Sequence, residues 1–226
     1  MNSKSGTLYI VATPIGNLED ITYRSIKTLK NSDYILCEDT RVSRKLLDRY
    51  NIKKSLFSYH SFNEHKVVKK YIDEVLSGKI ISLISDAGTP SISDPGFLII
   101  REAIKNNIEI DCLPGATAFV PALVNSGISS DRFIFEGFLP TKKGRKKRLE
   151  LLSNEKRTII IYESPKRILK TLKELIIFFG KDRKASVSRE LTKIYQENKR
   201  GTLEELFISF ETRIIKGEIV LIIDGK

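Results

Sequence analysis

The chain has 226 residues, of which 41% are hydrophobic and 30% are charged. This composition is typical of a globular protein that buries a core, and it excludes an intrinsically disordered chain. The formal net charge of +11 favours a polyanionic partner such as nucleic acid. The alternative is a plain compositional bias, since the chain is rich in Lys, Ile and Asn together.

Cysteine, histidine and hydropathy patterns point to no disulfide, metal or membrane segment. Cys37 and Cys112 are far apart and lack Cys-x-x-Cys spacing, so neither a disulfide framework nor a zinc site is predicted. His60 and His65 do not have the spacing of a helical metal-ligand pair, and we expect no metal. The apolar run near the N-terminus is short and interrupted by Pro14, and no stretch is long enough to span a bilayer. We therefore expect a cytoplasmic protein.

The first half of the chain alternates predicted strands and helices. Apolar runs predict strands at residues 7–12, 33–37, 55–59, 80–84 and 108–112. Helices are predicted at residues 21–29, capped by Asp20, around Leu46, from Asn63 to Gly78, and at 116–124. This repetition predicts a mostly parallel sheet with helices on both faces, in a first domain of residues 1–126.

The most informative stretch is residues 79–96, KIISLISDAGTPSISDPG. A buried strand runs into a loop of small and polar residues, after which Asp94 can cap a helix that has Pro95 at its first position. In open α/β sheets ligands bind beyond the carboxyl ends of the strands, so this loop is a candidate site. The alternative is a tight turn whose Asp and Ser residues merely cap the next helix.

The residues of this loop restrict the kind of ligand it can bind. It lacks the Gly-Lys-Ser/Thr ending of a P-loop, and no Gly-x-Gly-x-x-Gly occurs in the chain. Asp86 and Asp94, with no basic residue beside them, make a poor phosphate cradle. Hydroxyls, backbone groups and carboxylates suit a ligand that carries ribose hydroxyls, an amine or a fixed positive charge.

A change of pattern near residue 126 predicts a second α/β domain, residues 127–226, with a mixed sheet. Strands are predicted at residues 133–139, 158–162, 185–189 and 218–223. Helices are predicted from Ser164 to Gly180 and at residues 203–210. A basic, Gly-containing run at residues 142–148 separates the first two strands.

Eight ordered motifs carry a family resemblance over essentially the whole chain. They read LYIVATPIGNLEDIT, EDTR, SDAGTPSISDPG, LPGATA, DRFIFEGFLP, YESPKR, RELTK and KGEIVLII. Together they resemble the small-subunit ribosomal RNA methyltransferase I family of the tetrapyrrole methylase superfamily. The resemblance implies two α/β domains of the tetrapyrrole methylase type, with the cofactor in the cleft between them, and a homodimer.

The implied reaction is S-adenosyl-L-methionine-dependent methylation of a ribose 2′-hydroxyl, on a cytidine of 16S ribosomal RNA near the decoding centre. This donor has no phosphate, so the absence of a P-loop is no obstacle. The family's cofactor positions fall at predicted strand ends or helix starts. They are Pro14, Ile15, Asp86, Ala87, Gly88, Thr89, Pro90, Thr117, Ala118 and Tyr162.

The EDTR and RELTK motifs supply the candidate catalytic residues. Methyl transfer depends largely on positioning, and a general base would help to remove the hydroxyl proton. The candidates are Glu38, Asp39, Arg41 and Glu190, and the alternative for each is a structural ion pair. His60 is either a base or a helix-entry residue, and we favour the second reading.

The basic run is the predicted RNA contact, because Lys and Arg in a flexible segment can follow phosphate oxygens. It comprises Lys142, Lys143, Arg145, Lys146, Lys147 and Arg148. The alternative is an ordinary solvated loop. Many family members continue in a helical segment where this chain ends at Lys226. If that segment aids RNA binding in those members, the substrate affinity of this chain has to come from elsewhere, such as a dimer surface or an assembled ribosomal particle.

Two other functions are weighed against this one. A tetrapyrrole (precorrin-type) methylase is disfavoured by the basic run and by the EDTR and RELTK motifs. A catalytically inactive RNA-binding assembly factor is disfavoured by the intact SDAGTPSISDPG and LPGATA loops.

Overall fold

The computed structural model of the protein describes residues 6–226, so the first five residues of the predicted first domain lie outside the described part. The chain divides into two units, one ending at Thr117 and the other comprising Ala118–Lys226. Each unit has its own five-stranded sheet. No helix within the described range has both the length and the apolar character needed to cross a membrane.

The first unit is built on a sheet in which every pair of neighbouring strands is parallel, in agreement with the predicted parallel sheet. The strand order is β3-β2-β4-β1-β5. The strands are β1 (Thr7–Val11), β2 (Tyr34–Cys37), β3 (Leu56–Ser58), β4 (Ile81–Leu83) and β5 (Glu109–Leu113). The helices are α1 (Tyr23–Asn31), α2 (Thr40–Arg49), α3 (Glu64–Leu76) and α4 (Phe97–Lys105).

Helices cover both faces of this sheet because its strands are apolar on both sides. Ile35 and Leu36 are neighbours in β2, and both are completely buried. Ile35 packs with Leu29 and Leu47 of α1 and α2. Leu36 packs on the other side in the cluster that contains Ile99 of α4.

The second unit has a mixed sheet of order β6-β7-β10-β8-β9, as predicted. β6 and β7 are parallel, and the other neighbours are antiparallel. The strands are β6 (Phe133–Phe138), β7 (Thr158–Glu163), β8 (Lys184–Arg189), β9 (Glu197–Thr202) and β10 (Ile219–Ile223). The helices are α5 (Phe119–Ser126), α6 (Arg145–Leu152), α7 (Ile168–Phe179) and α8 (Leu203–Glu211).

The division between the units differs from the boundary at residue 126 that the sequence suggests. Residue 126 is the last residue of α5, whereas the structural division precedes this helix. The reason is that α5 packs against β8 and β10 of the second unit. The small, apolar sequence of α5 contains no signal for the sheet on which it packs.

Two predicted helix caps are replaced by other residues. Asp20 lies in a short 3-10 turn, and α1 is instead capped by Thr22, whose Oγ1 accepts a hydrogen bond of 3.0 Å from the Ser25 amide. The N-cap position of α4 is Gly96, at φ 142°, and not Asp94, which lies two residues earlier. A Cβ at Gly96 would lie 3.1 Å from Leu83 Cδ2, so this entry requires glycine.

Two elements of the second unit, α6 and β9, are not predicted from the sequence. α6 begins inside the basic run that was expected to be flexible, and it forms because Leu149 and Leu152 join the core. β9 has the polar sequence ENKRGT, which lacks an apolar strand pattern. It forms because it pairs with β8 along its whole length, from Lys184–Thr202 to Arg189–Glu197.

Candidate active site

The loops that follow the five parallel strands lie at one edge of the first sheet. Because the strands are parallel, all of their carboxyl ends point to the same edge, where ligands bind in this class of sheet. The strand order places the loops after β2, β4, β1 and β5 side by side. These loops contain most of the predicted cofactor and catalytic residues of the first unit.

The loops after β1 and β4 are joined by a buried hydrogen-bond network. Thr13 and Gly88 exchange two backbone hydrogen bonds of 2.9 Å. Thr13 Oγ1 donates to the Ser85 carbonyl at 3.0 Å, and Ser85 Oγ donates to the Gly88 carbonyl at 3.1 Å. The predicted cofactor residues Pro14 and Ile15 follow Thr13 directly and are buried. The structure therefore brings these two predicted groups together.

The loop after β5 completes the same surface. Thr89 Oγ1 donates to the Ala116 carbonyl at 3.1 Å, which links the loop after β4 to the residue before Thr117. Gly115 lies so close to β1 that a Cβ there would be 2.6 Å from Ala12 Cβ. Glycine at this position therefore permits the contact between the two loops.

The loop after β4 contains backbone strain that a simple turn does not need. Ser91 and Ser93 have φ values of 74° and 65°, in the left-handed region that side chains disfavour. Such residues cost about 1 kcal/mol or more each, and they cluster at binding sites. The Ser91 amide donates to the Pro95 carbonyl at 3.2 Å, which holds the strained segment in place.

Three carboxylates, those of Glu38, Asp39 and Asp86, lie near one another at the ends of β2 and β4. Asp86 Oδ1 accepts a hydrogen bond of 3.1 Å from the Asp39 amide. Desolvation raises the pKa of Asp86, and the charge of Asp39 raises it further, while the hydrogen bond from the Asp39 amide lowers it. The other oxygen of Asp86 has no hydrogen-bond partner within residues 6–226.

Asp39 and Arg41, two of the predicted catalytic residues, bind each other. Asp39 caps α2 by accepting from the Arg41 amide at 2.8 Å, and its other oxygen is 2.6 Å from Arg41 Nη2. The hydrogen bonds from Arg41 lower the pKa of Asp39 to about 2. Asp39 is therefore a poor proton acceptor, and its visible role is to begin α2.

Glu38 differs from its neighbour because its carboxylate forms no hydrogen bond or ion pair in the described part of the chain. Burial raises the pKa of Glu38, and the charges of Asp86 and Asp39 add to that rise, whereas the charge of His60 lowers it. A carboxylate with a raised pKa is a better proton acceptor near neutral pH than an ordinary one. Among the four predicted catalytic residues, Glu38 best fits the chemistry of a base.

His60 lies beside Glu38, on the turn that follows β3. The Tyr59 amide donates to the Cys37 carbonyl at 2.8 Å, which places this turn next to the end of β2. His60 Nδ1 is shielded from solvent without a hydrogen-bond partner among the residues described. Its ring meets Phe62 edge-on at 6.0 Å, and Phe62 is 91% exposed. The sequence analysis does not single out Phe62, and the only local signal for it is an aromatic residue two positions after His60.

The remaining predicted cofactor residues lie in the second unit. Ala118 directly precedes α5. Tyr162 lies near the end of β7, where its ring packs edge-on against Phe135 at 5.1 Å and Phe138 at 5.8 Å. These contacts hold the Tyr162 ring in one orientation.

Glu190 stabilises the loop between β8 and β9, and its contacts do not suit it to proton transfer. Its Oε1 accepts from Lys193 Nζ at 2.9 Å and from the Glu218 amide at 3.0 Å. These hydrogen bonds lower its pKa, although desolvation, the largest single influence, opposes them. Glu190 is therefore a weak base, and the structural alternative accounts for its contacts.

The basic run contains lysines that are exposed to solvent and arginines that bind other residues of the protein. Arg145 is only 5% exposed, and its guanidinium donates to Glu174 at 2.7 Å, Thr171 Oγ1 at 2.8 Å and the Pro140 carbonyl at 3.1 Å. This buried group cannot reach a phosphate, contrary to the predicted RNA contact. Arg148 is paired with Glu136 through two hydrogen bonds. Arg148 is nevertheless exposed, and the other exposed members of the run are Lys142, Lys143, Lys146 and Lys147.

Across residues 6–226, no three His, Cys, Asp or Glu side chains are grouped so that they could hold a metal ion.

Comparison with known proteins places these features in a family. Residues 7–206 match the family model of the tetrapyrrole (corrin/porphyrin) methylases. A relative from Halalkalibacterium halodurans, named ribosomal RNA small subunit methyltransferase I, is 49% identical over 98% of this chain and 76% of its own length. A relative of the same name from Thermotoga maritima is 45% identical over 98% of this chain and 99% of its own length.

The fold is also that of solved structures. Uroporphyrin-III C-methyltransferase from Thermus thermophilus, crystallised in complex with S-adenosyl homocysteine, superposes with a TM-score of 0.67 at 15% identity. The match covers 96% of this chain and 97% of that one. The chain therefore belongs to the tetrapyrrole methylase family, and within it to the group of proteins named ribosomal RNA small subunit methyltransferase I.

Proposed function

We propose that the chain is an S-adenosyl-L-methionine-dependent methyltransferase that methylates the ribose 2′-oxygen of a cytidine in 16S ribosomal RNA, near the decoding centre. We further propose that it acts in the cytoplasm as a homodimer. The observation that carries the proposal is the near full-length identity of 45% to 49% with relatives named for small-subunit ribosomal RNA methylation. The hydrogen-bonded loops after β1, β4 and β5, at one edge of the first sheet, also support the proposal.

The loop residues fit this cofactor by their chemistry. S-adenosyl-L-methionine supplies a methyl group on a sulfonium and presents ribose hydroxyls and an amine to the protein. Asp86 offers a half-buried carboxylate with one oxygen still without a hydrogen-bond partner in the described range. The residues proposed to hold the cofactor are Pro14, Ile15, Asp86, Ala87, Gly88, Thr89, Pro90, Thr117, Ala118 and Tyr162.

The chain's own residues have two tasks in such a reaction. The loops after β1, β4 and β5 orient the donor, and their mutual hydrogen bonds keep them in place without reorganisation. Exposed lysines near the start of α6 neutralise phosphates of the substrate. A 2′-hydroxyl must be accessible to react, so the substrate segment is expected to be unpaired.

Calorimetric titration with S-adenosyl-L-methionine and S-adenosyl homocysteine tests the cofactor assignment. We expect Asp86→Ala to weaken binding of both by about ten-fold or more, because a hydrogen bond to a charged group contributes about 1.5–3 kcal/mol. Asp73→Ala, at an exposed position of α3, is the matched control and should bind as the wild type does. Near-normal binding by a folded Asp86→Ala variant would remove the loop after β4 from the cofactor site.

The acceptor is tested by incubating the protein and methyl-labelled donor with unmodified small subunits and with naked 16S ribosomal RNA. Mass spectrometry of the digested RNA locates any 2′-O-methylated nucleotide. Methylation of a corrinoid instead of RNA would favour the tetrapyrrole reading. Cofactor and RNA binding without turnover would favour an inactive assembly factor. Sedimentation analysis of the purified protein tests the homodimer.

A further inference from the structure

The turn between β3 and α3, residues 59–63, is held rigidly at the edge of the first sheet. Its start is fixed by the hydrogen bond from the Tyr59 amide to the Cys37 carbonyl, at 2.8 Å. Its end is closed by Asn63, whose Oδ1 accepts from the His60 amide at 2.9 Å instead of capping α3. A rigid turn of this kind presents His60 and Phe62 in a defined orientation.

Two polar groups beside this turn lack partners that a purely structural role would provide. The carboxylate of Glu38 has no hydrogen bond or ion pair within the described chain. His60 Nδ1 is shielded from solvent and is likewise unpaired among residues 6–226. A buried polar atom without a partner, such as His60 Nδ1, is costly and calls for an explanation. Glu38 is only half-buried, so its carboxylate is open to solvent or to a ligand. A ligand hydroxyl that donates a hydrogen bond and a proton to Glu38 would give this carboxylate the partner that it lacks.

Phe62 adds an apolar surface at the same place. Its side chain is 91% exposed, although large aromatic side chains normally lie in the core. It packs edge-on with the His60 ring at 6.0 Å, so one of its faces is available to a flat partner. In a chain with a net charge of +11, an unpaired nucleobase is a fitting partner for an exposed aromatic ring.

We propose that Glu38, His60 and Phe62 form the acceptor-nucleoside site, in which Phe62 stacks on the target base and Glu38 takes the proton of its 2′-hydroxyl. His60 is a positioning residue that stabilises the ionised form of Glu38 through its charge. The proposal rests on the proposed function and deepens it, because it assigns the base and the base-stacking residue of that reaction.

The proton balance of the transfer is complete with Glu38 as the acceptor. The bond between the 2′-oxygen and the methyl carbon forms as the carbon–sulfur bond breaks, and that bond's electron pair stays on sulfur. The hydroxyl proton passes to the Glu38 carboxylate, so the positive charge of the donor and the negative charge of Glu38 disappear together. The protonated Glu38 then releases its proton to solvent when the product leaves.

The stacking role is tested with Phe62→Ala in steady-state methylation of unmodified small subunits. Removal of one base–aromatic stack is expected to raise KM for the RNA about ten-fold, and to weaken binding of a labelled single-stranded RNA in fluorescence titration, with kcat within two-fold. Tyr23→Ala is the control, because Tyr23 is 94% exposed on α1 and lies outside this turn. Affinity for S-adenosyl homocysteine should be unchanged in both variants.

The base is tested with Glu38→Gln and His60→Gln across a pH series. Glu38→Gln is expected to lower kcat by about 100-fold or more and to abolish the acid limb of the pH–rate profile. The charged groups that face Glu38 are Asp86, Asp39 and His60. Because His60 is the one that favours the ionised form, His60→Gln should move the acid limb to higher pH. Glu109→Gln, at an exposed position of β5, is the control.

The outcomes separate this proposal from the proposed function. If the wild-type protein methylates neither subunits nor naked RNA, the proposed function itself fails. If the wild type is active but Phe62→Ala behaves as Tyr23→Ala does, or Glu38→Gln keeps the acid limb, the acceptor-site proposal is overturned. It is also overturned if Phe62→Ala changes the association state of the protein and leaves RNA affinity intact, since Phe62 would then contact another copy of the chain.

Discussion

Glu38 and Asp39 are adjacent in sequence, yet their surroundings shift their pKa values in opposite directions. Asp39 accepts hydrogen bonds from Arg41, which lower its pKa to about 2. Glu38 lacks such donors, and burial together with the charge of Asp86 raises its pKa. Two neighbouring carboxylates thus differ, because one caps a helix with a lowered pKa and the other has a raised pKa and no hydrogen-bond donor in the described chain.

Arg145 shows how a residue in a basic run can be structural. Its guanidinium bridges Glu174 and Thr171, and Thr171 Oγ1 in turn donates to the buried carboxylate of Glu163 at 2.7 Å. We expect Arg145→Ala to lower the free energy of unfolding by about 3 kcal/mol, because it removes three hydrogen bonds of a buried guanidinium and leaves a cavity beside Thr171. Urea unfolding measures this change, and Lys147→Ala, at an exposed position, should stay within about 0.5 kcal/mol of the wild type. Equal stability of the two variants would show that the network contributes little.

Glu197 should make the stability of the protein depend on pH. It accepts from Arg213 at 2.7 and 2.8 Å and from Arg189 at 3.1 Å, and these hydrogen bonds lower its pKa to about 2. The unfolded chain therefore binds the proton more readily. The stabilisation is complete above about pH 5 and is lost as pH falls towards the folded-state value.

Glu197→Gln is accordingly expected to be less stable than the wild type by about 2 kcal/mol at pH 7. This difference should shrink as the pH is lowered from about 5 to about 2. Thermal unfolding of both proteins across that pH range measures it. Glu211→Gln, at an exposed position of α8, is the control and should follow the wild type throughout. A difference that does not change with pH would show that packing, and not charge, is responsible.

At the scale of elements, the basic run is part turn and part helix. The turn at residues 141–144 carries Lys142 and Lys143, and the first turn of α6 carries Lys146 and Lys147. Arg145, which lies between the two pairs of lysines, is buried in the core. The backbone that carries the four lysines is therefore anchored at this point. This arrangement differs from the flexible phosphate-following loop that the sequence suggests.

Replacement of the four lysines by Ser is expected to weaken RNA binding and to flatten its dependence on salt. Each lost phosphate contact lowers the log–log slope by about 0.7 for a single strand, so the slope should fall by about two to three. The matched control replaces four exposed lysines of the first unit, Lys27, Lys30, Lys45 and Lys53, and removes the same charge. Equal slopes for the two quadruple variants would make the run an ordinary charged surface.

The two sheets serve the molecule in different ways. In the first unit, the parallel arrangement brings the loops after all five strands to one edge, where three of them are joined by hydrogen bonds. In the second unit, the mixed sheet accepts a polar strand, because β9 lies at the edge and needs only one neighbour. The net charge of +11 belongs to the whole chain and bears on its partner, not on its fold.

The sequence by itself determined the strands with apolar runs, the parallel character of the first sheet, the mixed character of the second, and the family. Those features depend on residues that are close together in the chain, so periodicity and motifs reveal them. The Gly96 entry to α4 shows the limit of this reasoning, because Asp94 and Pro95 predict a helix start two residues before the one that the structure has.

Only the tertiary structure decided which polar residues are free to act. Arg145 and Glu190 are committed to partners at residues 174 and 218, and Glu38 acquires its character from Asp86 and His60. Each of these relations joins residues that are distant in the chain. A side chain's reactivity depends on burial and on neighbouring charges, and both are set when the strands come together in the sheet.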